Sequence, residues 1–329
     1  MGNKPMPLIV WIHGGAWLSG SKDNPSPALR FTADGYAVAH VGYRLSQEAK
    51  FPAQIHDCKA AVRWLRANAP KYNLDANTSA AWGGSAGGHL VALLGTSSGV
   101  ADLEGSVNDL KESSRVQAVV DWFGPTDFLR IGSAESDLQH NAPDSPESKL
   151  IGGPLLDNKD KAAKASPISY VSKEAPPFLI MHGDRDRTVP FNQSELLYAA
   201  LKKAGVDATL VPMKGAGHGF GGPEAIAPVR DAPDWPVAHG GPALRRVPGN
   251  RRRRRPGGAG PLRHCAIRSA IPGAFRSRQG HVDRAERRCH PGHVQRLVTD
   301  SGGAAERTGC RGCRRLVPCF DCSMSSENW

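Results

Sequence analysis

Six short apolar runs separated by amphipathic stretches constrain this chain more than any other feature. The runs are Pro7–Ile12, Tyr36–Val41, Ser79–Trp82, Ala118–Phe123, Pro177–Met181 and Ala208–Pro212, and each reads as a strand. Between Pro52 and Ala69, apolar Ile55, Ala61, Val62, Trp64 and Leu65 alternate with charged residues, among them Asp57 and Lys59, as on a half-buried helix. Leu90–Leu94 reads as an apolar helix, and Leu196, Leu197, Ala200 and Leu201 place another over Ser194–Ala204. Strand-then-helix alternation predicts an α/β fold, a mostly parallel sheet with helices on both faces. No run approaches the roughly 18 apolar residues of a membrane span. No charged segment with an apolar stretch follows Met1, so no signal peptide is read and a cytoplasmic location is the default expectation.

Charge divides the chain in two. The formal charge is +11, from 42 Lys and Arg against 31 Asp and Glu, and all of the excess lies in 231–329. Residues 1–230 hold 23 basic and 23 acidic side chains, leaving 19 and 8 for the tail. That tail has no lysine, six of the seven cysteines, and only 14 Leu, Ile, Val or Phe in 99 residues. So few large apolar side chains do not offset chain entropy of roughly 1–2 kcal/mol per residue. The expectation is a catalytic domain over 1–230 and an Arg/Gly/Pro/Cys-rich tail over 231–329 that is disordered or non-native, its composition being what GC-rich DNA yields out of frame. Cys58 is the only cysteine in 1–230, so no disulfide forms within that domain, consistent with a reducing compartment.

The strongest motif is Gly83-Gly84-Ser85-Ala86-Gly87-Gly88, a G-x-S-x-G between a strand pattern and a helix pattern. A tight strand-to-helix turn projects a serine hydroxyl above the sheet edge, and small flanking residues let the two segments approach. Ser85 is therefore the candidate nucleophile. His13-Gly14-Gly15-Ala16-Trp17 follows the first apolar run. A loop of such small residues aims backbone N–H groups at an oxygen that becomes negative during acyl transfer. His13 is expected to fix that loop rather than act as a base.

A serine hydroxyl needs a histidine to take its proton, and the histidine needs a carboxylate to hold its tautomer. His182-Gly183-Asp184-Arg185-Asp186 follows the fifth apolar run and Gly217-His218-Gly219-Phe220 the sixth. The order Ser85, Asp186, His218 is nucleophile, acid, base. Asp186 is preferred to Asp184 because it stands further along the loop, with Val189-Pro190 behind it. Asp121 and Asp127 follow an earlier strand and are read as local caps or pairs.

On these residues the chain resembles bacterial α/β-hydrolase esterases of the hormone-sensitive-lipase and feruloyl/acetyl-xylan-esterase-like group. Tyr43-Arg44-Leu45, Phe51-Pro52-Ala53-Gln54 and Phe123-Gly124-Pro125-Thr126-Asp127 carry the resemblance further, and together the motifs span about Pro7 to Pro223. The resemblance implies cofactor-free, metal-free hydrolysis of carboxylic esters of short acyl, acetyl or feruloyl type through an acyl-serine. It also implies that the amides of Gly15, Ala16 and Ala86 form the oxyanion hole. The substrate implied is a small-molecule or carbohydrate-linked ester. Two departures stand out: only six residues precede Pro7, where the group has a hairpin, and Pro228, Pro233 and Pro236 interrupt the stretch where it has a terminal helix.

Trp17, Tyr43 and Phe220 flank the motifs and are expected to line the substrate pocket, core packing being the alternative for each. Leu129–Ala165 is read either as a cap over the site or as a surface excursion. Two other functions compete. A serine peptidase would use the same three side chains. A nucleic-acid or zinc-binding tail would use Arg251–Arg255 and the pairs Cys310/Cys313 and Cys319/Cys322, though only five residues separate those pairs and little apolar pattern surrounds them.

Overall fold

The computed structural model describes residues 4–106, 111–220, 228–229 and 320–322, the last three as backbone. The predicted strands form as β1 (Met6–Ile12), β2 (Ala37–Val41), β3 (Leu74–Gly84), β4 (Ala118–Trp122), β5 (Phe178–Gly183) and β6 (Ala208–Met213). Among the helices are α1 (Ala53–Ala67), α2 (Ala69–Tyr72), α3 (Ala86–Thr96) and α4 (Ala101–Glu104). Further along the chain come α5 (Pro146–Ile151), α6 (Lys159–Ala165) and α7 (Asn192–Lys203). The sheet is parallel throughout, in the order β6-β5-β4-β3-β1-β2, and a short strand β7 (Phe320–Cys322) pairs with β2 at the edge. The rest of the 231–329 tail, including Arg251–Arg255 and Cys310, Cys313 and Cys319, lies outside the described residues, as do Pro233 and Pro236.

Side-chain alternation along the strands explains the layers. Leu8, Val10 and Ile12 of β1 face one core with Ile55, Cys58 and Val62 of α1, Leu90–Leu94 of α3 and Leu197 and Leu201 of α7. Ile9 and Trp11 face the other core, with Trp82, Trp122, Phe31 and Tyr36, against a 3-10 helix over Pro27–Asp34. Each large apolar side chain fully buried in these cores contributes about 1.5–3 kcal/mol. On the second face the rings pack edge to face: Trp82 lies 5.4 Å from Trp11, 5.6 Å from Phe31 and 4.9 Å from Trp122.

The strand order positions the site. β3 and β1 are neighbours, and the chain winds outward in opposite directions from them, through β4, β5 and β6 on one side and β2 on the other. Such a switch point opens a crevice at the carboxyl ends of the strands. The loops after β1, β3, β5 and β6 all end there. They carry Gly14-Gly15, Ser85, Asp186 and His218.

Candidate active site

Ser85 joins β3 to α3 with φ 58° and ψ −123°, a left-handed conformation that a serine adopts only when its surroundings enforce it. Here the enforcement is close packing. The Ser85 amide donates to the Trp122 carbonyl at 2.9 Å, and α3 passes so near β1 that a Cβ on Gly87 would stand 2.1 Å from the Ile12 carbonyl oxygen. Only glycine fits there.

The His13–Trp17 loop lies against the same turn. A Cβ on Gly14 would stand 2.8 Å from the Gly84 carbonyl oxygen and 3.4 Å from the Ser85 Cβ. Gly15, Ala16 and Trp17 all have positive φ, at 110°, 56° and 58°. Three successive left-handed residues turn the chain sharply, and the Gly15 carbonyl closes the turn by accepting from the Leu18 and Ser19 amides, each at 3.0 Å. The Gly15, Ala16 and Ala86 amides have no acceptor among the described residues. Ala86 opens α3, where an amide lacks an intrahelical partner.

His13 is buried. Its ring stacks on Tyr43 with centroids 4.3 Å apart, and its Nδ1 bonds the Gly14 carbonyl at 2.7 Å. Burial lowers its pKa, favouring the neutral ring suited to a scaffold.

Two of the three expected pocket residues turn inward. Trp17 is 1% exposed and Tyr43 is 6% exposed. The Tyr43 hydroxyl donates to the His13 carbonyl at 3.1 Å, and the Trp17 indole N–H donates to His89 Nδ1 at 3.2 Å. These contacts correct the expectation for both: they brace the glycine-rich loop from behind. Phe220 is half-buried beside Trp122 and Phe123, with centroids 5.1 and 4.7 Å away. Phe123 in turn meets the His218 ring at 4.6 Å.

The structure brings Ser85, His218 and Asp186 together. His218 Nε2 lies 3.0 Å from Ser85 Oγ, and His218 Nδ1 lies 2.7 Å from Asp186 Oδ2. A carboxylate only accepts, so Nδ1 carries the proton and Nε2 is left to accept from the serine hydroxyl. Asp186 is held from every side. Its Oδ1 accepts from the Thr188 and Val189 amides at 2.8 and 3.0 Å, and its Oδ2 also meets His182 Nε2 at 3.2 Å. Burial pushes this carboxyl up, but the hydrogen bonds from His182 and His218 and the Val189 amide outweigh it and hold the pKa well below the usual carboxylate range. The group stays ionised. Asp184 is exposed and, among the described residues, accepts from the Gly215 amide alone, at 2.6 Å, bracing the neighbouring loop.

The other carboxylates lie apart from this chain of contacts. Asp127 pairs with Arg130 at 2.6 Å and accepts from the Leu129 amide. Asp121 is fully buried at the end of β4, accepts from the Gly124 amide at 3.0 Å, and is pushed up to about 6 by burial.

Two supports escaped sequence reasoning. The His182 ring donates from Nε2 to the Val189 carbonyl at 2.9 Å and accepts at Nδ1 from the Ser194 hydroxyl at 2.7 Å, which fixes its tautomer beside Asp186. His89, one turn into α3, is pushed down to about 4 by burial and joins Trp17 to the Ala165 carbonyl, 2.7 Å from its Nε2. His182 stood in a recognised motif without a role. His89 had no signal beyond its proximity to Ser85.

The BD-FAE family profile matches residues 1–201. The chain belongs to the BD-FAE family. Among curated relatives, the chain is 32% identical over 223 residues to Esterase LipC of Mycobacterium tuberculosis, covering 67% of this chain and 54% of that protein. The chain spans about half the length of the curated relatives it matches first. Among solved structures, it resembles a truncated carbohydrate esterase from gut microbiota at 38% identity and TM-score 0.63, over 66% of this chain and 81% of that one. It also resembles the propionate-bound esterase Est2 of Thermogutta terrifontis at 32% identity and TM-score 0.55, over 66% and 75%. The fold is the α/β-hydrolase fold, and the likeness to esterases of the hormone-sensitive-lipase-like group expected from the motifs is borne out. Among the described residues no helix is long and apolar enough to cross a membrane, and no cluster of three His, Cys, Asp or Glu side chains is arranged to hold a metal.

Proposed function

We propose that this protein is a serine esterase that cleaves carboxylic esters through an acyl-serine intermediate. The observation that carries the reading is the continuous line of hydrogen bonds Ser85–His218–Asp186, 3.0 and 2.7 Å long, with Asp186 kept ionised. Ser85 Oγ attacks the ester carbonyl carbon while His218 Nε2 takes its proton. Asp186 stabilises the imidazolium that results. The oxygen turned negative is held by the amides of Gly15, Ala16 and Ala86, which have no other acceptor among the described residues. His218 then gives its proton to the departing alcohol oxygen, and the C–O bond breaks. A water molecule, deprotonated by the same nitrogen, attacks the acyl-serine and releases the acid.

The acyl group in this proposal is short. The Phe123 ring lies against His218 and also meets Phe220, so the surroundings of the base are aromatic. Structural relatives support the choice, since one is described as a carbohydrate esterase and Est2 is described with bound propionate and, in another structure, butyrate. The natural substrate proposed is an acetyl-type ester on a carbohydrate-linked alcohol. Turnover of p-nitrophenyl acetate, butyrate and octanoate tests it: kcat/KM should fall from the shortest to the longest. A maximum at octanoate would refute the short-acyl assignment while leaving ester hydrolysis intact.

A further inference from the structure

The segment between β4 and β5 carries a second histidine–carboxylate pair that ester hydrolysis leaves unused. His140 is 2% exposed and Glu147, at the start of α5, is equally buried. His140 Nδ1 lies 2.9 Å from Glu147 Oε1, and its Nε2 lies 3.1 Å from the Thr188 carbonyl oxygen. Each ring nitrogen therefore has a buried acceptor beside it. Burying two such groups costs stability unless hydrogen bonds offset it, and these are bonded to each other and to the Thr188 carbonyl.

What they hold is the turn after Asp186. That turn presents two amides and two carbonyls. The Thr188 and Val189 amides both donate to Asp186 Oδ1. The Val189 carbonyl accepts from His182, and the Thr188 carbonyl accepts from His140. Ser136 adds to the grip: its hydroxyl donates to the Arg187 carbonyl at 2.9 Å and lies 3.1 Å from His140 Nε2. The Asp137 amide donates to the Arg187 carbonyl as well, at 2.7 Å. The charged groups on these packed elements are Glu147, Asp186 and Arg187, the last paired at the surface with Glu135 and Asp137. The contacts join the 129–165 segment to the loop that carries Asp186.

We propose that this segment is a positioning element for Asp186, with His140, anchored by Glu147, as its positioning residue. Through the Thr188 carbonyl it fixes the turn whose amides aim the carboxylate at His218. The inference rests on the esterase reading above. It assigns the segment a task in catalysis, where the sequence left a choice between a cap and a surface excursion.

The test compares His140→Leu, which removes both ring nitrogens, with His140→Gln, which keeps a donor of similar reach, on p-nitrophenyl acetate. A misplaced catalytic group costs about 10–100-fold, so His140→Leu should lower kcat by that factor while KM stays close to wild type. The acid limb of the kcat/KM profile should move to lower pH, because an imidazole that loses its carboxylate partner holds a proton less well. His140→Gln should recover most of kcat and return the profile. A folded His140→Leu protein with wild-type kcat and profile overturns the inference. So does an equal loss in both variants with an unmoved profile, which marks a merely structural role. Should His140→Leu not fold, Ser136→Ala decides: a lower kcat with the same shift of the acid limb supports the inference, and wild-type behaviour refutes it. Ser85→Ala, run in parallel, separates the two readings. If Ser85→Ala retains turnover, the esterase mechanism fails; if it is inactive while His140→Leu is unaffected, only the positioning inference fails.

Discussion

Replacing Asp121 by Asn should change how stability depends on pH, without touching the reacting groups. Asp121 is 0% exposed, and Gly88 and Gly124 close over it so tightly that a Cβ on either would stand 2.5 or 2.6 Å from its Oδ1. One oxygen accepts from the Gly124 amide; the other has no partner among the described residues. Desolvation therefore dominates and pushes the carboxyl from 3.8 up to about 6. The folded protein keeps this proton until about pH 6, whereas the unfolded chain releases it near 3.8, so between those values unfolding releases a proton. The stability is fully present below the lower value and is lost as pH rises through the upper one. At about 1.4 kcal/mol per pH unit, the interval from 3.8 to about 6 amounts to about 3 kcal/mol. Asn cannot ionise, so the difference in urea-unfolding free energy between variant and wild type should shift by about 2.5 kcal/mol in the variant's favour from pH 4 to pH 8, the remainder falling below pH 4. The shift is the observable, because any fixed cost of the amide cancels from it. A difference that stays constant across this range would refute the argument that burial, rather than a charge partner, governs Asp121.

Asp186→Asn should lower kcat by about 10⁴-fold by forcing the wrong imidazole tautomer, while Asp184→Asn, which loses one surface contact, should stay near wild type on p-nitrophenyl acetate. A greater loss for Asp184→Asn would reverse the choice of acid. Gly87→Ala drives a methyl group into the Ile12 carbonyl and should destabilise the fold by about 1–3 kcal/mol or prevent folding, read as a lower melting temperature. Trp17→Phe strands the buried His89 Nδ1 and should cost about 1–3 kcal/mol of stability, with KM unchanged because the indole does not face substrate.

The strands were legible because each is an apolar run bounded by loop residues, and their observed limits differ from the expected ones by a few residues at most, the largest difference being the early start of β3 at Leu74. That start is hidden because Asp75 and Asn77 are poor strand formers; Asp75 instead accepts from the Asn77 amide and the Thr78 hydroxyl. The grouping of Ser85, Asp186 and His218 was legible as an order of motifs, since each follows a strand of a parallel sheet and such ends converge. The direction of Trp17 and Tyr43 was not. A large residue beside a motif has the same local sequence whether it faces a cleft or the core; here the inward contacts are with His89 and the His13 carbonyl, distant in sequence from Trp17 and Tyr43 respectively. The role of His140 was also hidden, because the Thr188 carbonyl it meets lies 48 residues away.

The central claim, that the Ser85 hydroxyl is the nucleophile, is tested most directly by the reaction of the 329-residue chain with an organophosphate ester, read by peptide mass spectrometry alongside turnover of p-nitrophenyl acetate. One phosphoryl adduct on Ser85 and stoichiometric loss of turnover are expected in the wild type. Ser85→Ala should show no adduct in the 83–88 peptide and a kcat lower by about 10⁶-fold. Wild-type turnover by Ser85→Ala, or inactivation with the adduct on another serine, would contradict the account.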